Sequence, residues 1–169
     1  MPLLIDMYVA GFAVMMLKAI LCYSVLCLLL AISLTDYDTM TIPDRLNVAL
    51  LACGVLAAFI VPEISLASRL VGLFCVSVPL LIISCVAPGA FGGGDVKLMA
   101  AAGFLLGWQS VLVAAVIGFI VGGAYGVCLL LSGRKATSQH FAFGPALCLG
   151  IMVALFFGQT IAAGYVAML

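Results

Sequence analysis

Long apolar stretches separated by short polar segments make up almost the whole chain. Lys18 interrupts the first stretch, which allows two interpretations: one tilted helix from about Tyr8 to Leu34, or a short interfacial segment followed by a helix from Ala19 to Leu34. Residues 1–17 lack a basic start and a small-x-small cleavage site, so we do not expect a cleaved signal peptide. The first polar segment then runs from Asp36 to Arg45.

Two further apolar stretches predict a helical hairpin. The first spans Leu46 to Val61, and the second spans Leu70 to about Val86, where Pro79 predicts a kink and Pro88-Gly89 an end. A hairpin returns the chain to the side of the membrane from which it started. We therefore expect the segments before and after it to lie at the same face.

An uncharged stretch from residue 98 to residue 133 is too long for one span and short for two. Gly107-Trp108-Gln109 is the natural break, because Trp and Gln suit a membrane interface. The break predicts a short helix from Asp95 to Leu106 and a full span from Ser110 to Leu131. About a dozen residues cover only ~18 Å of a ~30 Å hydrocarbon core, so the start of the short helix is expected below the membrane surface.

The remaining pattern predicts a polar loop from Gly133 to His140 and a last span from Phe141 to about Val166. The count is about six transmembrane helices in an all-α fold, with residues 1–169 forming a single domain. Small residues at four-residue spacing predict two helix-packing faces. They are Gly118, Gly122 and Gly126 on the fifth helix, and Gly150, Ala154 and Gly158 on the sixth.

Composition supports a polytopic membrane protein. The chain is 67% hydrophobic and only 7% charged, with a mean hydropathy of +1.45, whereas soluble domains carry about 25% charged residues. Its net charge is zero, and no basic stripe is present to neutralise phosphates, so we expect no nucleic-acid partner.

The cysteines are interpreted as small buried hydrophobic residues. All lie in apolar runs and no two form a C-x-x-C pair, so we expect neither a disulfide framework nor a metal site, and no cofactor. They are Cys22, Cys27, Cys53, Cys75, Cys85, Cys128 and Cys148.

The predicted spans bring most of the acidic residues to one membrane face. The acidic residues are Asp36, Asp38, Asp44 and Asp95, and the basic residues expected beside them are Arg45, Lys97, Arg134 and Lys135. Only Arg69 and Lys18 are expected at the other face. The positive-inside rule then predicts that the acidic face is cytoplasmic.

Two carboxylates at one face suit acid–base chemistry. When two such groups lie close together, one keeps its proton and the other acts as a base. A water between them can attack an amide carbonyl while the protonated partner donates to the carbonyl oxygen. An ion or proton path uses the same residues without hydrolysis, so residue types alone leave a protease and a transporter open.

The stretch from Phe91 to Lys97 contains three consecutive glycines, Gly92, Gly93 and Gly94, before Asp95. Glycines allow another chain to approach closely, and an Asp that opens a helix meets the positive end of its dipole. Lys97, two residues after Asp95, is expected either to shift the pKa of Asp95 or to extend to the lipid headgroups. Among the other acids, Asp38 is placed to bind a basic segment or to be solvated, and Asp44 to cap the second helix.

The ordered set of these motifs resembles the type IV prepilin peptidase family. Asp36 is followed by Ile42-Pro43-Asp44, then by Gly92-x-Gly94-Asp95-Val-Lys, and finally by Phe143-Gly144-Pro145. The resemblance covers nearly the whole chain. It implies a prokaryotic inner-membrane aspartic protease with a GxGD motif, which removes the short basic leader from pilin-like precursors at the cytoplasmic face. By position, its catalytic pair falls on Asp36 and Asp95.

One difference from the longer family members restricts the resemblance to the smaller ones. Longer members carry a cytoplasmic insertion with paired cysteine motifs, associated with N-methylation, and this chain has neither. It resembles the small peptidase-only members of tight-adherence pilus systems or the preflagellin peptidases, so we do not expect methyltransferase activity. A rival similarity, through Tyr37-Asp38, the same GxGD and Pro145-Ala146-Leu147, is to presenilin and signal-peptide-peptidase-like proteases.

Overall fold

Helices account for nearly all of the chain that the structure describes. The computed structural model describes residues 2–87, 91–131 and 143–168. The helices are α1 (Pro2–Thr39), α2 (Asp44–Ile60), α3 (Leu66–Cys75), α4 (Ser77–Val86), α5 (Gly93–Leu106), α6 (Trp108–Leu131) and α7 (Gly144–Val166). No strand occurs in these residues.

The lengths of the helices distinguish full membrane spans from shorter segments. Four stretches of the described chain have the length and apolar composition to cross a membrane: Gly11–Thr39, Leu66–Val86, Trp108–Cys128 and Gly144–Val166. Because α3 and α4 form one of these stretches, the described helices amount to six. The prediction of an all-α polytopic protein with about six helices is confirmed, although α2 and α5 have only 17 and 14 residues.

The first helix is longer than either interpretation of the sequence. It is continuous through Lys18 and ends at Thr39, so Asp36 and Asp38 lie in its last turns and the predicted end of the helix at Leu34 was wrong. No glycine or proline occurs between Lys18 and Pro43, and the polar residues just before Pro43 do not prevent a helix from forming. Met40, with a φ of 54°, then ends α1.

The two predicted interruptions occur for identifiable backbone reasons. Pro79 has no N–H and its ring crowds the carbonyl four residues earlier, at Cys75; the helix breaks at Val76, between α3 and α4. Gly107 separates α5 from α6 with a φ of 79°, and a Cβ there would lie 2.7 Å from the hydroxyl oxygen of Ser68. Only glycine fits this position.

The short helix α5 lies at the centre of the bundle. It packs against α2, α3, α4, α6 and α7. The buried residues are Asp95, Leu98, Met99, Ala101, Ala102, Gly103, Leu105 and Leu106, more than half of the helix. On one side Gly103 meets Gly72 of α3, backbone against backbone, with no room for a Cβ on either residue.

Arg69 holds the C-terminal end of α5. Its side chain is fully buried, and its guanidinium donates to the carbonyl oxygens of Phe104 and Leu105, at 3.2 and 2.8 Å. It also donates to the carbonyls of Ala57 and Val61 at the end of α2, both at 3.1 Å. Helix C-termini carry unpaired carbonyls and partial negative charge, and a guanidinium satisfies both. Arg69 therefore lies at the end of the bundle away from the acidic residues, as expected, but as a buried side chain that satisfies helix carbonyls.

The bundle has two distinct ends. The acidic end carries Asp36, Asp38, Asp44 and Asp95. The distal end carries Arg69, Lys18 and Glu63, and Lys18 Nζ lies 2.6 Å from a carboxylate oxygen of Glu63. Eighteen residues of α1 separate Lys18 from Asp36, which corresponds to ~27 Å.

Some predicted features lie outside the described residues. These are Pro88 and Gly89, and the polar loop from Gly133 to His140 with Arg134 and Lys135. The predicted packing faces of α6 and α7 are largely present: Gly118 lies against Leu147, and Gly150 against Ala114. Gly126 is different, because a Cβ there would have no neighbour within 4 Å.

We predict that Arg69→Met lowers the free energy of unfolding by at least about 3 kcal/mol, since it leaves several buried carbonyls without a donor. Arg69→Lys should recover only part of the loss, because an ammonium cannot reach both helix ends at once. Lys18→Met is the matched control: it removes an exposed ion pair, worth under about 1 kcal/mol. Unfolding in bicelles measures all three, and equal losses for Arg69→Met and Lys18→Met would contradict the interpretation.

Candidate active site

Asp36 lies on the buried face of α1. Val25, Leu29 and Ile32 precede it at helical spacing, and all are buried. Asp36 itself is only 5% exposed, whereas the next residue, Tyr37, is 68% exposed. The helix therefore directs Asp36 into the bundle, and Asp38 is exposed.

Asp95 lies in the first turn of α5 and is 7% exposed. One of its carboxylate oxygens accepts a hydrogen bond from the backbone N–H of Gly92 at 3.2 Å. The carboxylate thus caps the helix to which it belongs, where the helix dipole favours a negative charge. The expectation that Asp95 opens a helix is confirmed, with the helix beginning two residues earlier, at Gly93.

The fold brings the two aspartates together. Asp36 and Asp95 are close enough for their charges to interact. Asp36 also accepts a hydrogen bond from the backbone N–H of Gly144, at 2.9 Å, at the start of α7. A Cβ at position 144 would lie within 2.8 Å of the carboxylate carbon of Asp36. Asp36 can therefore occupy this position only because residue 144 is a glycine.

Three phenylalanines connect the motif segments around this pair. The ring of Phe91, before the glycines, lies 5.3 Å from that of Phe143 in an edge-on arrangement. Phe119 of α6 lies 5.9 Å from Phe91 and 5.8 Å from Phe143. Aromatic pairs at such distances are favourable beyond the area that they bury. The cluster therefore fixes the entry to α5 against the entry to α7.

The three glycines before Asp95 differ in the space around them. A Cβ at Gly94 would lie 2.9 Å from the Cβ of Ile42, in the segment between α1 and α2. A Cβ at Gly93 would have nothing within 4 Å, and one at Gly92 would make an ordinary contact with Asp95. Gly94 is therefore the position at which a second chain segment approaches too closely for a side chain.

The beginning of α2 is docked on the beginning of α5. Asn47, which is 5% exposed, donates through Nδ2 to the carbonyl oxygen of Gly94 at 3.4 Å. Lys97 Nζ lies 2.7 Å from Oδ1 of Asp44, and both side chains are more than half exposed. The prediction that Asp44 caps α2 was wrong: Pro43 holds the capping position, and Asp44 is the first helical residue. Lys97 pairs with Asp44.

The other predicted motif residues are placed around the pair or just outside it. Pro145 occupies the first turn of α7, as expected from its fixed φ.

Among the described residues, no group of three or more His, Cys, Asp or Glu side chains is arranged to hold a metal ion.

Sequence reasoning did not predict that four further residues lie at the site. Ile42, which was named only as part of a motif, and Phe119 carry no chemical signal. Cys148, 4% exposed on α7, lies within electrostatic reach of both aspartates. Asn47 had a usable signal, because a lone amide in an apolar helix requires a polar partner.

Two buried carboxylates that interact, one held by the N–H that precedes its own helix and the other by the N–H at the start of α7, can share a proton and activate a water between them.

The chain was compared with known families and proteins. Residues 23–127 match the model of the type IV leader peptidase family. A prepilin leader peptidase/N-methyltransferase of Bacillus subtilis (strain 168) is 33% identical over 141 residues, which cover 83% of this chain and 57% of the relative. One from Escherichia coli (strain K12) is 34% identical over 136 residues, covering 76% and 59%. One from Legionella pneumophila is 29% identical over 163 residues, covering 92% and 55%.

The chain spans a little over half the length of these curated relatives. No solved structure matches it. The matched segment includes Asp36, the three glycines and Asp95, and covers more than half of the chain. The chain belongs to the type IV leader peptidase family.

Proposed function

We propose that this protein is a membrane aspartic endopeptidase that removes the short basic leader from type IV pilin-like precursors. Asp36 and Asp95 are the proposed catalytic pair. The observation that carries the proposal is that two buried aspartates, far apart in the sequence, are held at one end of the bundle by the N–H groups of Gly92 and Gly144, whose neighbours Phe91 and Phe143 are in ring contact. Membership of the leader peptidase family supports this substrate class.

In the proposed reaction, one carboxylate takes a proton from a water held between the pair. The water oxygen attacks the carbonyl carbon of the scissile amide, while the protonated partner donates to the carbonyl oxygen. The resulting diol collapses as the carboxyl group that took the proton from water gives it to the leaving nitrogen. The other carboxylate takes a proton from a diol hydroxyl, the carbon–nitrogen bond breaks, and the pair returns to its starting state. The hydrogen bonds from the N–H groups of Gly92 and Gly144 orient the two carboxylates throughout.

The acidic end is proposed to face the cytoplasm. Among the described residues it carries Arg45 and Lys97. At the distal end Arg69 is buried among helix carbonyls, so Lys18 is the other partly exposed basic side chain of the described residues. Two exposed basic side chains against one favour the acidic end as the cytoplasmic one under the positive-inside rule.

The proposal covers peptidase activity alone. The sequence contains no C-x-x-C pair of the kind associated with N-methylation, so methyl transfer is not part of it. Of the rival interpretations, the presenilin-like one expects aspartates well inside spans. Asp36 lies in the last turns of α1 and Asp95 in the first turn of α5, which favours the leader peptidase.

The first prediction of the proposed function concerns Asp36 and Asp95. Asp36→Asn and Asp95→Asn should each lower the rate of leader removal by at least about a thousandfold, because general acid–base catalysis is lost. Protein level and membrane insertion should not change. Asp38→Asn, two residues away on the exposed face of α1, is the control and should keep most of its activity. An active Asp36→Asn with an inactive Asp38→Asn would overturn the assignment.

The second prediction separates two adjacent glycines. Gly94→Ala should lower kcat/KM on the order of a hundredfold, because its Cβ forces the start of α5 away from Ile42 and misplaces Asp95. Gly93→Ala should be nearly as active as the natural protein, because its Cβ meets open space. Initial rates in proteoliposomes, normalised to folded protein, measure the difference. Equal effects of the two substitutions would refute this account.

The third prediction concerns the substrate. The acidic end carries four acidic side chains against two basic ones among the described residues, so it should attract a positively charged leader. Replacing the leader's Lys and Arg residues with Glu should raise KM roughly tenfold and change kcat less. The same replacements beyond the hydrophobic segment of the precursor are the control. An acidic leader that is cleaved as efficiently as a basic one would show that charge does not select the substrate.

A further inference from the structure

A cavity of about 310 Å³ lies between α2, α3 and α5, on the side of α5 away from the aspartate pair. Lys97, at its edge, follows Asp95 by two residues, which places it ~200° around the helix from Asp95. The cavity thus lies behind the aspartate pair, and Asn47 both borders the cavity and holds the start of α5. The apolar walls are Val48, Leu51, Leu73, Ala100 and Ala101, and the polar residues are Asp44, Asn47 and Lys97.

The polar residues of the cavity lie at the acidic end, and the apolar walls extend away from them. Asp44 is the first residue of α2, and Leu51 lies two turns further along the same helix, ~10 Å into the bundle. On α5 the order is the same, since Lys97 precedes Ala100 and Ala101. This arrangement has the polarity of a phospholipid, with a headgroup at the membrane surface and an acyl chain directed inward.

Asn47 supplies an unused hydrogen-bond acceptor beside the cavity. The residue is 5% exposed and its Nδ2 donates to Gly94, but its Oδ1 is buried without a partner in the described structure. Buried polar atoms are nearly always paired, so an unpaired acceptor at a cavity indicates a missing donor. The ligand is therefore expected to carry N–H or O–H groups.

Asp44 and Lys97 present opposite charges at the mouth of the same cavity. Both are more than half exposed, and exposed ion pairs contribute little to stability, so a ligand can separate them readily. A ligand with its own cation and anion side by side would pair with both. An anionic group alone would leave Asp44 unpaired, and a quaternary ammonium has no N–H to offer Asn47.

We propose that this cavity binds one phospholipid whose headgroup carries a phosphate and a primary ammonium. The ammonium donates to the Asp44 carboxylate and to Asn47 Oδ1, the phosphate accepts from Lys97, and one acyl chain lies along Val48, Leu51 and Ala100. The proposal does not depend on the peptidase activity.

The apolar walls of the cavity suit an acyl chain, because an extended chain of methylene groups is thin and needs no hydrogen-bond partner along them.

Native mass spectrometry of the full chain tests the proposal. The purified protein is mixed with equal amounts of palmitoyl-oleoyl phosphatidylethanolamine, phosphatidylglycerol and phosphatidylcholine. We expect one bound phosphatidylethanolamine, retained at least fivefold over each of the other two lipids. Ala100→Phe should fill the cavity and reduce this binding at least fivefold. Ala124→Phe, at an exposed position of α6, is the matched control and should bind as the natural protein does.

Two further variants keep the test decisive if Ala100→Phe fails to fold. Lys97→Gln and Asp44→Asn change only exposed side chains, and each should abolish the preference among the three lipids. An unchanged preference in both, or equal binding of the three lipids to the natural protein, would overturn the proposal. So would a photo-crosslinking residue at Val48 that captures a precursor peptide and not a lipid.

Discussion

A central helix that is too short for the membrane is the constraint on which the rest of this structure depends. With 14 residues, α5 covers ~21 Å, whereas the hydrocarbon core is ~30 Å thick. At least one of its ends therefore falls where water does not satisfy backbone groups, and each unsatisfied group is costly there. The protein itself must supply the partners. Arg69 supplies them for the carbonyls at one end, and Asp95 caps the other end through Gly92.

The capping of the N-terminal end of α5 by Asp95 also creates the candidate site. The capping carboxylate is already buried and oriented, and the fold has only to bring a second one to it. Gly144 does so because its N–H donates to Asp36 and it has no side chain to occupy the position of that carboxylate. Asn47 and Ile42 contact Gly94 on the other side of the first turn of α5. Backbone groups thus hold both carboxylates, which makes their geometry insensitive to side-chain rotamers and sensitive to glycine substitution.

The sequence predicts most of the fold, because the fold depends on local pattern, whereas the candidate pair was assigned from the ordered motifs that resemble the prepilin peptidase family. Membrane-length apolar runs, Pro79 and Gly107 act on the backbone nearby, and their effects follow from their own chemistry. The burial of Arg69 does not follow, since its partners lie 35 and 36 residues away on a helix whose depth is set by packing. The pairing of Lys97 with Asp44, 53 residues apart, is hidden for the same reason, and both residues had reasonable local interpretations.

The burial of the pair also limits what can reach it. Asp36 and Asp95 are 5% and 7% exposed, and the segments beside them, around Ile42 and Gly92, are the parts of the site without helical hydrogen bonding along the chain. In the proposed reaction, a substrate backbone that reaches two such buried carboxylates is expected to be extended, with a small residue beside the scissile bond. The proposed basic leader would then direct the substrate to the acidic end of the bundle, and the burial of the pair would restrict which bond is cut.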